Sequence, residues 1–307
     1  MRDLIALGDL SRAQLEDLLD LAAAMKEIIR RPVKKVPTLR GKAVANVFFE
    51  ASTRTRNSFE LAGKYLGADV INFQARGSSV EKGETLWDTV RTMRAMRVDA
   101  VIVRHQAEGV PGEMAARLDI PVINAGDGAH QHPTQGLLDL LTIRDRLGHI
   151  AGLTVTIVGD VLHSRVARSD IEGLLQLGAK VRLVGPPALI PGRWDSPHVR
   201  IYTDLAEALA GAQVVQVLRI QRERQASGGI PSLREYHDRW GITPAGLGLA
   251  DAEVLVLHPG PQNRGVEIDS AVVDDPKRSA IQDQVENGVA VRMAVLYRLV
   301  GGKEAME

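Results

Sequence analysis

The stretch Phe48-Phe49-Glu50-Ala51-Ser52-Thr53-Arg54-Thr55-Arg56-Asn57-Ser58-Phe59-Glu60 sets hydroxyls and two guanidiniums where an apolar run gives way to a helical pattern. A strand-to-helix junction of this composition suits an anion. The first backbone N–H groups of a helix lack internal partners and carry the positive end of its dipole, hydroxyls add neutral donors, and arginine offers a planar fork matched to phosphate oxygens. The plainer reading is that Ser52 or Thr53 only caps the helix while both arginines are solvated; the density of donors weighs against it. Downstream, Ser78-Ser79-Val80-Glu81-Lys82-Gly83-Glu84-Thr85 is a polar loop ahead of a helix capped by Thr85, with Asp88 three residues on. It reads first as a surface loop, and Lys82 would reach an anion only if the loop folds over a site.

Two further segments follow apolar runs. Arg104 and His105 come after Val103, and His130-Gln131-His132-Pro133-Thr134-Gln135 comes after the next run and a glycine-rich turn. In open parallel sheets ligands bind beyond the carboxyl ends of the strands, so Arg54, Arg104 and His132 would share one sheet edge. His130 and His132 also stand as a candidate metal pair, but no cysteine, third ligand or i, i+4 spacing accompanies them.

In the second half, Val155-Thr156-Ile157-Val158-Gly159-Asp160 leads through Ser164 and Arg165 into a helical pattern. A dinucleotide fingerprint would need further glycines where Val161 and Ser164 stand, so a nicotinamide cofactor is not expected. Arg219 and Gln221 end another apolar run, at Val217-Leu218-Arg219-Ile220-Gln221. A single arginine in such a loop is ordinarily solvated or salt-bridged; two at comparable strand ends suggest a shared ligand. His258-Pro259-Gly260-Pro261 follows the last run, and its two prolines around a glycine make an irregular turn with carbonyls available to an amino group.

The elements that must position these residues alternate. Ser11 and Gln14 have capping-box spacing, and Leu15, Leu18, Leu19, Ala22 and Met25 then recur at helical period as far as the basic stretch at Arg30. Short apolar runs follow at 43–49, 68–73, 99–103 and 121–123, separated by helical patterns. A long helix is expected over 133–147, with Gly148 after its end. A second series of runs lies at 153–158, 180–184, 199–202, 213–218 and 253–257, and a final helical pattern at about 279–299 follows Pro276. Ser227-Gly228-Gly229 reads as a mobile loop. Strand-helix alternation predicts an α/β chain of two consecutive three-layer domains, each a mostly parallel sheet with helices on both faces.

The length of 307 residues agrees, at ~150 residues per domain. Lys plus Arg and Asp plus Glu both total 38, so there is no global field for nucleic acid or an anionic membrane, and any anion site must be local. The absence of Cys excludes disulfides, thiolate metal sites and a cysteine nucleophile. No apolar run approaches the ~18 residues of a membrane span, and the acids Asp9, Glu16 and Asp17 interrupt any signal-like stretch. A soluble, cytoplasmic protein without metal or other cofactor is expected.

Ser52-Thr53-Arg54-Thr55-Arg56-Asn57-Ser58-Phe59-Glu60, Lys82-Gly83-Glu84-Thr85, His132-Pro133-Thr134-Gln135 and His258-Pro259-Gly260-Pro261 together resemble the carbamoyltransferases, in the right order over nearly the whole chain. The Ser-Thr-Arg-Thr segment marks the superfamily, whereas Lys82 in its loop, Arg219-Ile220-Gln221 and the Pro-Gly-Pro turn look like its aspartate branch. The ornithine branch has a Cys in the segment matching His258 to Pro261 and a Ser-Met-Gly element, and neither is present.

The resemblance implies transfer of a carbamoyl group from carbamoyl phosphate to L-aspartate, in pyrimidine biosynthesis. It implies a carbamoyl phosphate domain over 1–135, joined by the C-terminal helix 279–307, and an aspartate domain over 136–278. Ser52, Thr53, Arg54, Thr55, Ser78, Lys82, Arg104, His132 and Gln135 would bind carbamoyl phosphate, with Arg54, Thr55, Lys82, Arg104, His132 and Gln135 catalytic. Lys82, Arg165, Arg219, Gln221, Gly260 and Pro261 would bind aspartate. The resemblance further implies a homotrimer whose sites are shared, Ser78 and Lys82 completing the neighbouring chain's site; association with regulatory or dihydroorotase chains is left open. Two departures are small: Glu81 stands where some members carry a second lysine, and Gly260 replaces a bulkier residue. An ornithine-type acceptor would call for acids instead of two arginines, and a non-catalytic relative would have lost Lys82, His132 or Arg219, all of which are present.

Overall fold

A computed structural model describes residues 1–74, 85–220 and 232–301. Ser78, Lys82, Gln221 and the Ser227-Gly228-Gly229 stretch lie outside the described residues. The chain forms two compact units, Met1–Leu137 together with the chain from Glu286 on, and Leu138–Val285.

The first unit opens with α1 (Arg12–Ile29). Its capping box forms as the sequence predicts: Ser11 Oγ accepts from the Gln14 N–H at 3.3 Å, and the Ser11 N–H donates to Gln14 Oε1 at 2.8 Å. Then follow β1 (Ala43–Phe48), α2 (Thr53–Tyr65), β2 (Asp69–Gln74), α3 (Leu86–Ala95), β3 (Ala100–His105), α4 (Val110–Arg117), β4 (Val122–Asp127) and α5 (Pro133–Leu147). Thr85 caps α3 by accepting from the Asp88 N–H at 3.2 Å. The four strands are parallel in the order β2-β1-β3-β4. Strand order reverses at β1, so the crossovers before and after β2 run in opposite directions, and α2 lies on one face while α3 and α4 lie on the other. Ala45, Val47, Val101 and Val103 pack with Val90, Met93 and Met114 on the α3/α4 face. Alternation along β1 turns Val44 to the opposite face, where α2 approaches so closely that a Cβ on Gly63 would lie 3.5 Å from Val44 and 2.6 Å from Val70.

The second unit, which takes over within α5 at Leu138, continues with β5 (Thr154–Val158), α6 (Arg165–Gln176), β6 (Lys180–Val184), β7 (Val199–Tyr202), α7 (Leu205–Leu209), β8 (Val214–Val217), α8 (Leu233–Trp240), α9 (Pro244–Leu247), β9 (Leu255–Leu257) and α10 (Ser270–Val273); α11 (Ile281–Leu296) starts in it and belongs to the first unit from Glu286 on. The second unit's five strands are also all parallel, in the order β7-β6-β5-β8-β9, reversing between β5 and β8. Val158, Val215, Val217, Tyr236, Trp240, Ile242, Val256 and Ile268 belong to its buried core. Both sheets bury most strand positions, which explains near-continuous apolar runs in place of simple alternation.

Several boundaries differ from the apolar pattern by a residue or more. β3 does not stop at Val103 but runs on to His105, and β4 extends through Asp127, because Phe48 pairs with Arg104 and His105 with Asp127. Backbone pairing is indifferent to side-chain polarity, so a ladder outlasts its hydrophobic stretch. At the far end α11 closes at Leu296, and 297–301 widen into a π turn where a helix to Leu299 was expected. Among the described residues no helix is long and apolar enough to cross a membrane.

Candidate active site

In the first unit the pairing of Phe48 with Arg104 continues one step further, the Phe49 N–H donating to the Arg104 carbonyl at 2.9 Å. The Ser52–Arg54 junction and Arg104 therefore stand at the carboxyl ends of adjacent strands, where strand order reverses and open α/β sheets bind ligands. Ser52 holds the N-cap position of α2, yet its side chain makes no cap bond, so the plain capping role is not the one it fills. Thr53 and Arg54 are exposed at this helix start and Thr55 is buried.

Arg104 is buried, and its register with β4 shifts between Val103 and His105, an irregularity of the kind that re-aims a side chain. Its Nη1 donates to the Ala125 carbonyl and its Nη2 to Glu50 Oε1, both at 3.1 Å. His105, by contrast, turns aside. Its ring meets Phe49 edge-on at 5.3 Å, and Nδ1 accepts from the Ala107 N–H.

The third segment is shaped by Asp127, which is fully buried. Its Oδ1 accepts from Asn124 Nδ2 at 2.8 Å and the Gln131 N–H at 3.0 Å, its Oδ2 from the Gly109 N–H at 2.8 Å, and its own N–H donates to the Gln131 carbonyl. These bonds fold 128–131 into a tight return that delivers His132 to the start of α5, where its carbonyl accepts from Gln135 and Gly136. His132, Thr134 and Gln135 are buried there. His130 faces Asp127 Oδ2 at 3.0 Å. Among the described residues no group of three or more His, Asp or Glu could hold a metal ion.

The second unit repeats the logic. The Leu218 N–H donates to the Val158 carbonyl at 2.8 Å, so the segments after β5 and β8 leave the sheet side by side at its switch point. Arg165, buried, is the first residue of α6, capped by Ser164 Oγ accepting from the Ala167 N–H at 3.1 Å; Arg219 follows Leu218, half-buried. Gly159 serves packing: at φ +124° a Cβ would sit 3.1 Å from the Tyr236 hydroxyl and 3.2 Å from Leu218 Cβ. Beyond β9, the neighbour of β8, Gly260 adopts φ +61°, a left-handed conformation that explains glycine at a position where relatives were expected to carry bulk. The bond Gly260–Pro261 is cis. Asn263 Nδ2 donates to the Ile220 carbonyl at 3.3 Å, tying this turn to the segment that carries Arg219. Arg165, Arg219 and Gly260 thus occupy the carboxyl ends of three adjacent strands.

Sequence reasoning did not single out Glu50, Asp127, Asn263 or Glu267 as partners of these segments. Each lies in or within a few residues of one of these motifs, and an acid placed directly at the end of an apolar run, as at Glu50, is the signal the sequence offers.

Donor-rich strand ends at the switch points of two doubly wound sheets define a class, that of two-unit α/β proteins that receive small anionic molecules. The chain belongs to the aspartate/ornithine carbamoyltransferase family: residues 2–145 match its carbamoyl-P binding domain and residues 151–299 its Asp/Orn binding domain. It is 56% identical over 301 residues to the aspartate carbamoyltransferase catalytic subunit of Moorella thermoacetica, covering 98% of each chain. Identity to the Geobacter sulfurreducens catalytic subunit is also 56%, over 307 residues, 100% of this chain and 98% of the relative. Among solved structures, Trypanosoma cruzi aspartate transcarbamoylase in complex with carbamoyl phosphate and aspartate superposes with a TM-score of 0.88 at 33% identity, covering 97% of each chain. Pyrococcus furiosus ornithine carbamoyltransferase superposes with a TM-score of 0.87 at 29% identity, covering 99% of this chain and 98% of that one.

Proposed function

We propose that this chain transfers the carbamoyl group of carbamoyl phosphate to the amino group of L-aspartate, giving N-carbamoyl-L-aspartate and phosphate. The observation that carries the choice of acceptor is the placement of Arg165 and Arg219 at adjacent strand ends of the second unit. Two guanidiniums suit a dicarboxylate and disfavour the second amine of ornithine.

In this reading residues 1–135 with the C-terminal helix hold carbamoyl phosphate and 136–278 hold aspartate. Ser52, Thr53, Arg54 and Thr55 take the phosphate at the start of α2, with Arg104. Thr55, Arg104, His132 and Gln135 hold the carbamoyl oxygen and amide. The amine nitrogen of aspartate attacks the carbonyl carbon, and the donors at the carbonyl oxygen stabilise the charge of the tetrahedral intermediate. The C–O bond to phosphate then breaks, and the leaving phosphate accepts the amine proton, so no side chain need act as general base. Arg165 and Arg219, with Gln221, take the two carboxylates, and the Gly260 carbonyl beside Pro261 receives the amino group. Ser78 and Lys82 belong to the same scheme through a neighbouring chain, in a homotrimer with shared sites. The enzyme works in the cytoplasm, in the pyrimidine pathway that its relatives' name implies.

Phosphate release on mixing the purified chain with carbamoyl phosphate and L-aspartate tests the reading. Turnover with L-aspartate and none with L-ornithine is expected; the reverse preference, or no release with either, overturns it.

A further inference from the structure

The turn that carries Gly260 is held from beneath by a buried pair. The side chains of His258 and Glu267 are both fully buried, and each is engaged by neighbouring protein groups. The Gly260 N–H donates to His258 Nδ1 at 2.8 Å. A ring nitrogen that accepts carries no proton, which places the proton of the neutral imidazole on Nε2. Nε2 in turn donates to Glu267 Oε1 at 3.2 Å. The same oxygen accepts from the Asn263 N–H at 2.6 Å, and Oε2 accepts from Asn263 Nδ2 at 3.0 Å. Asn263 Nδ2 also reaches the Ile220 carbonyl, and the His258 N–H is anchored on Gln284 Oε1 at 2.9 Å.

A carboxylate taken out of water is costly unless donors surround it, and Glu267 has three. These donors come from two residues of the turn after β9, and through Asn263 one connected network runs from the N–H of Gly260 to the carbonyl of Ile220, the residue after Arg219. The bonds from the N–H of Gly260 and the N–H of Asn263 hold the turn on both sides of the Gly260 carbonyl. Fixing the carbonyl of Ile220 fixes the direction in which the chain leaves Arg219.

We propose that the His258–Glu267 pair, acting through Asn263, is the positioning device for the acceptor end of the site, setting the Gly260 carbonyl and Arg219 in mutual register. The inference rests on the reading that these two groups bind aspartate. His258 and Glu267 are positioning residues, acting through backbone they do not share with the substrate.

Two substitutions separate the two nitrogens of His258. His258→Gln keeps a donor toward Glu267 and loses the acceptor for Gly260; His258→Asn keeps that acceptor and loses the donor. Both, together with Asn263→Ala, should raise KM for aspartate by roughly ten-fold or more, since small misplacements of binding groups are expensive. KM for carbamoyl phosphate should stay within about two-fold, a split that general loosening of the fold would not produce. Nitrogen NMR of histidine-labelled enzyme should show His258 as the Nε2–H tautomer. An equal rise in both KM values, a lowered Tm with aspartate KM unmoved, or an Nδ1–H tautomer would overturn the proposal. Asn263→Ala keeps the test decisive if the buried histidine variants do not fold. Failure of the underlying reading would appear separately, as a wild-type enzyme that releases no phosphate with aspartate.

Discussion

Arg104 and Glu50, 54 positions apart in the chain, meet at 3.1 Å between Nη2 and Oε1, while Nη1 of the same guanidinium is held by the Ala125 carbonyl. Acceptors on two different nitrogens fix the plane of the group before any ligand arrives. An ammonium cannot reproduce that, having a single nitrogen on a flexible stem. Arg104→Lys keeps the charge and loses the orientation, so KM for carbamoyl phosphate at saturating aspartate should rise by about ten-fold or more. A value within two-fold of wild type in steady-state phosphate release would show that charge alone matters at this position.

Arg165 and Arg219 leave adjacent strands of the second unit, one from the first turn of α6 and one just beyond β8. If each takes one carboxylate, replacing either by Ala should raise KM for aspartate by on the order of 10²-fold and leave KM for carbamoyl phosphate nearly unchanged. Succinate, which lacks the amine, should inhibit the wild type competitively against aspartate and fail to inhibit either variant. An equal loss toward both substrates would remove the pair from the acceptor site.

Much of this was legible in the sequence because it is local. The capping box at Ser11, the cap at Thr85, the helix that starts at Pro133 and the strand runs all depend on residues within one turn or one ladder rung. Strand-helix alternation also announced the parallel sheets, but their strand order and reversal points are not local, and these set the strand ends that precede Arg54 and Arg104, and Arg165 and Arg219, side by side. Their partners were hidden for the same reason: Glu50 needs the β1–β3 register to find Arg104, and Glu267 needs the β9 turn to find His258. Strand ends were misjudged at His105 and Asp127 because hydrophobicity reports burial, whereas a ladder is made by backbone.

Beneath the second sheet, Gln216 Nε2 donates to Asp139 Oδ2 at 3.2 Å and Asp170 Oδ2 at 3.1 Å, and all three residues are buried. Burial pushes the Asp170 carboxyl well above the usual carboxylate range, and the nearby Asp139 adds in the same direction. The folded chain thus binds this proton more tightly than the unfolded one. Its contribution to stability is complete below the unfolded value of about 3.9 and is lost as pH rises through the raised folded value. Asp170→Asn offers an N–H in place of that proton and does not titrate. Its urea midpoint should therefore gain on wild type progressively as pH is raised from about 5 to about 9. Parallel curves for the two proteins would mean that Asp170 is already ionised in the folded state.

The last prediction concerns assembly, and it follows from a division of labour in the proposed site. His132 stands at the start of α5, whereas Lys82 is assigned by family resemblance to the site of a neighbouring chain. If sites are shared around a cyclic trimer, a Lys82→Ala chain and a His132→Ala chain are each inactive alone yet complementary. A mixed trimer of either composition places one intact His132 beside one intact Lys82, and one site in each such trimer is restored. Random reassembly of equal amounts makes about three-quarters of the trimers mixed, so the mixture should recover about a quarter of wild-type specific activity. Native mass measurements confirm that exchange has occurred, and activity is compared with both parent proteins treated alike. Mixed trimers without recovery would mean that Lys82 serves its own chain. A monomer with full activity would remove the shared site altogether, because no single chain would then need its neighbour's cation.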